Sequence, residues 1–310
     1  MLRNSRFLLL FSVLWVAIAH ERELRPAPGH SSLRRAGPEE IQYCSLETCG
    51  AAGESADTCR RRLSPRVLQA PDPSSRPARG HWYGPANYDN SVDSFFRGEI
   101  AKRAATKTDI VTVLGGEVTS EYIRFMDKPK SLAMLGFCGC MGLIVLSRSA
   151  VWMAHVYESP VLDNGPKVFQ KKGIAVLEKG KRSSDMYYGL SDLSGNVFAP
   201  DEEPVAVVFA PKSSSSDFQY EPLMREIDRM VKRLIGVDPE WVGYTPRRDG
   251  DLMSRFDFYC TRPEGKVLVQ YQPSNKRRSG RSKAKARIWI EGDGWTFKMS
   301  WSPHRKQKSH

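Results

Sequence analysis

Gly136-Phe137-Cys138-Gly139-Cys140-Met141-Gly142-Leu143-Ile144-Val145-Leu146-Ser147-Arg148-Ser149-Ala150-Val151-Trp152-Met153-Ala154-His155 is the most informative run in the chain. It holds two apolar segments, 141–146 and 150–156, on either side of a short polar link. Runs of this length and composition, joined this tightly, predict a buried antiparallel hairpin. A cysteine enters the first strand and a histidine leaves on the second. With a two-residue turn at Ser147-Arg148, Cys140 lies directly opposite His155, where Cβ atoms are about 4.5–5.5 Å apart. With the turn at Arg148-Ser149 the two become diagonal neighbours on the same face. A three-residue loop without a bulge puts them on opposite faces.

Working outward, Ser91 is a candidate cap for a helix carrying Val92, Phe95, Phe96 and Glu99-Ile100. Residues 110–114 read as a short strand closed by Gly115-Gly116, and 204–210 as another. Pro222 at a first turn, the stripe Leu223, Ile227, Met230, Val231 and Leu234, and Gly236 as a stop predict the clearest helix. Residues 266–271 form a strand. A last hairpin joins 287–290 to 295–301, where Trp295, Phe297, Met299 and Trp301 alternate as one buried face. The order is mixed and strand-rich, so the expected class is α+β: a mixed or antiparallel, sandwich-like sheet core with flanking helices.

The chain has 310 residues, with 47 Lys+Arg against 35 Asp+Glu, a formal charge of +12. Apolar content of 40% excludes a wholly disordered chain, and 24 Gly with 20 Pro argue against a coiled coil. The charge sits at the ends: 1–80 carries +4, 274–310 carries +9, and the middle is near neutral. Arg3 and Arg6, an apolar stretch at 7–17 and Ala17-Ile18-Ala19 read as a signal peptide over 1–19. Residues 20–80, rich in Pro, Ser, Gly and Arg, read as a flexible leader or propeptide, 81–301 as the folded domain, and 302–310 as a basic tail. The expected setting is secreted and extracellular, where disulfides form. Cys44, Cys49 and Cys59 suit a disulfide cluster better than zinc.

Cys140 and His155 are the residues expected to carry chemistry. The thiolate is the nucleophile, and a neighbouring imidazole can take its proton and later protonate a leaving amine. Gly139 leaves room for a substrate carbonyl near a backbone oxyanion donor. Glu158 is a candidate orienting group for the histidine, and Cys138 is the alternative nucleophile. Two other readings stand: a disulfide through Cys138, Cys140 or Cys260, and metal binding, which lacks an evident fourth ligand. No cofactor is called for. The basic run with Lys276, Arg277, Arg278, Arg281, Lys283, Lys285 and Arg287 is either a solvated loop or a polyanion-binding surface.

Gly139-Cys140 at the head of an apolar strand, with His155 fifteen residues on, resembles the cytotoxic-necrotizing-factor type of glutamine deamidase toxin and the bacterial chemoreceptor glutamine deamidases. Secreted fungal proteins of unknown function are similar over the same stretch, through Val151-x-Met153-Ala154-His155. The resemblance covers some 20 residues. It implies a Cys140/His155 hydrolase acting on the side-chain carboxamide of a protein substrate with an exposed Gln, such as a small GTPase, in an effector or toxin. The chain departs from that pattern in having Cys138 two residues before the nucleophile. The competing expectation is a non-enzymatic secreted interaction protein on the same fold, or a polyanion-binding module.

Overall fold

Helix α1, Val92–Thr106, follows a short helical turn at Pro85–Asn87, and its first turn is capped as expected: the Ser94 amide donates to Ser91 Oγ at 3.1 Å. The computed structural model describes residues 82–106, 117–181, 188–213, 216–246, 263–274, 276–277, 280–281, 283–292 and 295–302. The segments expected as signal peptide, leader with Cys44, Cys49 and Cys59, strand at 110–114 and basic tail beyond 302, together with Cys260, lie outside these residues.

Eleven strands follow α1 among the described residues. They are β1 Val118–Arg124, β2 Lys130–Leu135, β3 Met141–Leu146, β4 Ala150–Val156, β5 Val205–Pro211, β6 Glu240–Tyr244, β7 Lys266–Gln272, β8 Lys276–Arg277, β9 Gly280–Arg281, β10 Ala284–Ile290 and β11 Trp295–Trp301. One sheet has the order β1-β4-β3-β5-β6, all antiparallel except the parallel β5/β6 pair, and a second has β11-β10-β7-β2. β8 and β9 form a small separate hairpin. The class is α+β.

The two sheets face each other across a shared core. Ile144, Leu146, Val151 and Met153 from one sheet meet Leu132, Met134, Val267, Val269, Ile288 and Ile290 from the other. Because side chains alternate along a strand, the remaining positions of β3 and β4 face the opposite way. Leu143, Val145, Trp152 and Ala154 pack there beneath helix α2, Glu221–Ile235, and beneath the short helical turns between 158 and 198. On the far side of the second sheet, Ala133, Leu268 and Trp289 receive Phe95, Phe96 and Ile100 of α1. Helices therefore cover the outer face of each sheet. Both β3 and β4 are buried along their whole length, which is why their sequence is apolar on both parities.

Helix α2 follows its sequence stripe. Leu223, Ile227, Met230 and Val231 are buried, and Gly236 ends it at φ 83°, a left-handed position that favours glycine. Leu234 is only partly buried, and Met224 and Ile235 complete the face instead. On β11, Phe297, Met299 and Trp301 pack on the inter-sheet core, while Thr296, Lys298 and Ser300 are exposed.

Ile144 is fully buried on a central strand between the two sheets. Ile144→Ala is expected to lower the unfolding free energy by about 3 kcal/mol, measured from urea midpoints at unchanged m-value. A loss under about 1 kcal/mol would contradict this central placement.

Candidate functional site

Ser147 decides where the hairpin turns. Its amide donates to the Ala150 carbonyl at 2.9 Å, and its Oγ accepts from the amides of Ser149 and Ala150 at 3.1 and 3.2 Å. The same hydroxyl donates to the Val197 carbonyl at 2.6 Å. The turn is thus Arg148-Ser149, and β3 pairs with β4 as Met141↔Val156 and Gly142↔His155. Of the two same-face registers, the structure adopts the diagonal one: His155 faces Gly142, and Cys140, just before β3, lies level with Tyr157.

His155 occupies a row that crosses the sheet as Thr119↔His155↔Gly142↔Phe209. Gly142 leaves a gap in that row, and the ring of Phe137 fills it. A Cβ at Gly142 would come within 2.9 Å of Phe137 Cζ. The imidazole lies between two aromatic rings, Phe137 at 4.5 Å and Tyr157 at 4.7 Å between centroids. Among the described residues neither of its nitrogens has a hydrogen-bond partner, and the Oγ of Thr119 opposite it has none. Cys140 and His155 therefore share a face without a thiol–imidazole hydrogen bond.

Burial sets the charge state of both groups. Cys140 is 0% exposed and His155 1%, so each ionised form loses its hydration. Burial pushes the Cys140 thiol far up; backbone hydrogen bonds at Glu158 and Gly139 oppose the rise, and the Glu158 charge adds to it. Burial alone takes His155 down to about 3. The resting pair is a neutral thiol and a neutral imidazole. This corrects the expected thiolate–imidazolium pair: the gain from pairing is missing and the desolvation cost is not.

Cys138 is disulfide-bonded, while Cys140 remains a thiol. Cys138 is thereby removed as the alternative nucleophile, since its sulfur is already bonded. Glu158 is also reassigned. It does not orient His155, whose ring donates no hydrogen bond to it; its buried carboxylate lies against Gly139, where a Cβ would collide with it. Gln219 Nε2 donates to Glu158 Oε1 at 3.0 Å, and Tyr220 Oη donates to the same oxygen. Tyr244 Oη donates to the Cys140 carbonyl at 2.7 Å. The room that Gly139 provides is thus filled by a carboxylate.

The basic run divides. Lys276 and Arg277 lie on β8 and Arg281 on β9, Arg278 lies outside the described residues, and Lys283 and Lys285 are exposed. Arg287 does not belong to a polyanion surface. It is buried between Trp82 at 4.2 Å and Trp289 at 4.7 Å, and donates from Nε to Gln270 at 2.8 Å and from Nη2 to the Tyr83 carbonyl at 2.7 Å. Burial lowers its pKa to about 10. Arg287 lies on the outer face of β10 with Lys285 and Trp289, and it is buried because Trp82, the Tyr83 segment and Phe95 of α1 cover that face.

Phe137, Tyr157, Gln219, Tyr220 and Tyr244 escaped the sequence reading. Gln219 and Tyr220 are more than sixty positions from Glu158, and no local pattern signals such a pairing. Tyr157 was in reach, because continuing the hairpin register past its last strand residue puts it beside Cys140.

Since His155 binds its proton far more weakly when folded than its ordinary value of about 6.5, the unfolded chain holds the extra proton between about pH 6.5 and 3. Stability should fall on acidification through that window, with a contribution of about 1.4 kcal/mol per pH unit from this group. His155→Leu should remove that part of the slope in urea titrations from pH 7.5 to 4.5. It should also raise stability at pH 7 by about 1–2 kcal/mol, because it deletes an unsatisfied buried polar group. An unchanged slope would show that His155 is hydrated or bonded in the folded protein.

No family model matches the chain, and no curated protein matches it. Among solved structures it is similar to the C-terminal domain of CNFy from Yersinia pseudotuberculosis, at 12% sequence identity and a TM-score of 0.25, over 60% of this chain and 59% of that one. The chain thus spans about three-fifths of the length of that structure.

Proposed function

We propose that the chain is a cysteine-dependent hydrolase acting on side-chain carboxamides of proteins, a glutamine deamidase with Cys140 as nucleophile and His155 as its base. The observation that carries this reading is the β3/β4 register, with Cys140 and His155 diagonal on one sheet face across the Gly142 gap. Two further facts support it. Cys140 remains a thiol although Cys138, two residues away, is oxidised. His155 and Thr119 bury polar atoms without partners among the described residues, a cost of about 1–3 kcal/mol each that a purely structural core avoids.

In this reading Phe137 leaves the Gly142 gap and the imidazole swings toward Sγ. His155 takes the thiol proton, and the thiolate attacks the glutamine Cδ. The imidazolium returns a proton to the departing nitrogen, the C–N bond breaks, and ammonia leaves a thioester. Water, deprotonated by His155, then cleaves the thioester to give glutamate and the thiol. Net, one carboxamide and one water become one carboxylic acid and one ammonia.

The test incubates the full chain with glutamine-bearing proteins, small GTPases among them, and follows ammonia together with a mass gain of about 1 Da per site. Cys140→Ser should abolish conversion, His155→Ala should reduce it at least about hundredfold, and Phe137→Ala should raise kcat while lowering the urea midpoint. Conversion that survives Cys140→Ser sinks the mechanism. The complete burial of the pair favours a second reading, a non-enzymatic interaction protein on the same fold, and absence of conversion on every protein tried selects it.

A further inference from the structure

On the carboxylate that lies against Gly139, one residue before Cys140, the fold holds a glutamine side chain of its own. Gln219 Nε2 directs its two hydrogens to Glu158 Oε1 at 3.0 Å and to Tyr220 Oη at 2.9 Å. Tyr220 Oη donates in turn to Glu158 Oε1, so three groups close a ring around one amide nitrogen. The ring is anchored next to the thiol. Glu158 fills the space that Gly139 leaves, and its charge acts on Cys140. The backbone N–H of Gln219 donates to the Pro211 carbonyl at 2.9 Å, and Pro211 lies two residues beyond Phe209, the partner of Gly142, hence level with Cys140.

We propose that Glu158 and Tyr220 are the seat for the substrate's carboxamide nitrogen, and that Gln219 occupies this seat until a substrate glutamine displaces it. The inference rests on the deamidase reading and adds the residues that set its specificity.

The chemistry of the seat separates substrate from product. Both acceptors, a carboxylate oxygen and a phenol oxygen, suit an NH2 group with two hydrogens to give. The glutamate product offers a carboxylate oxygen at that point, with no hydrogen and a like charge, so the seat that retains the amide expels the acid. Burial, followed by the bond to Glu158, keeps the Tyr220 hydroxyl protonated, which leaves it able to accept from the amide while donating to Glu158.

Alkylation of Cys140 tests the seat without any turnover. Iodoacetamide carries the carboxamide that the seat accepts, and iodoacetate the carboxylate that it rejects. Modification at Cys140 is followed by mass spectrometry in the full chain, and the amide-to-acid rate ratio is divided by that of the same chain in guanidinium. The folded protein should favour the amide by at least about tenfold over the unfolded one, the scale of one charge-assisted hydrogen bond. Gln219→Ala, which empties the seat, should speed iodoacetamide several-fold and leave iodoacetate nearly unchanged. Glu158→Gln should bring the corrected ratio to within about twofold of unity. Tyr220→Phe keeps the charge and one acceptor, so it should lower the ratio part way; it also decides the matter if Glu158→Gln fails to fold. A folded ratio equal to the unfolded one, a ratio indifferent to both seat variants, or a Cys140 inert to both reagents overturns the proposal. Amide-selective labelling without ammonia release from any protein would instead remove the hydrolase and keep the seat.

Discussion

The hydrogen bonds of Ser147 govern the site. By closing a two-residue turn at Arg148-Ser149, they set which residues of β3 and β4 face the second sheet and which face helix α2. A slip of one residue would send Cys140 and His155 to opposite faces and turn Leu143 and Val145 into the inter-sheet core. The hydroxyl is tied to Val197 as well, so the register is held from outside the hairpin. Glycine at 142 then has a specific consequence: in a strand otherwise filled with Met, Leu, Ile and Val, it opens the position facing the imidazole.

That opening is filled by Phe137, and the electrostatics follow from this. An imidazole between two aromatic rings, closed off from water, stays neutral, and a thiol beside the Glu158 carboxylate stays protonated. A nucleophile and base with these values hold each other's proton in neither direction. The arrangement is a closed one, and under the proposed function its chemistry would depend on moving a single ring out of a single gap. The buried polar atoms of His155 and Thr119 mark the place where, among the described residues, hydrogen bonding has been given up.

The second sheet solves a different problem. Arg287, a cation inside the protein, is tolerated because two indole faces and the acceptors on Gln270 and Tyr83 replace its water. Its bond to the Tyr83 carbonyl ties the segment before α1 to the sheet that α1 covers. The same residue type that reads as surface charge in a basic run becomes a structural pin once α1 and the segment before it cover the outer face of β10.

Local sequence was enough for the elements whose signals are local. The β3/β4 hairpin, helix α2 between Pro222 and Gly236, the Ser91 cap and the alternating face of β11 are all written in period, cap and turn residues within a few positions. The α+β class follows from their order, and the sharing of a face by Cys140 and His155 follows from period-two alternation under either two-residue turn. Strands β1, β2 and β6 were missed because Val118–Arg124 and Glu240–Tyr244 mix polar residues into edge positions, and Lys130–Leu135 holds no β-branched residue to mark it as a strand. Which of the two cysteines stays a thiol, that Glu158 serves Cys140 rather than His155, that Phe137 covers Gly142, and that Gln219 sits on Glu158 were decided only in three dimensions. Each depends on groups brought together by strand pairing across the sheet or by chain segments dozens of residues apart. Their contact energies exist only once the sheets have closed, and so leave no period or spacing in the chain to read.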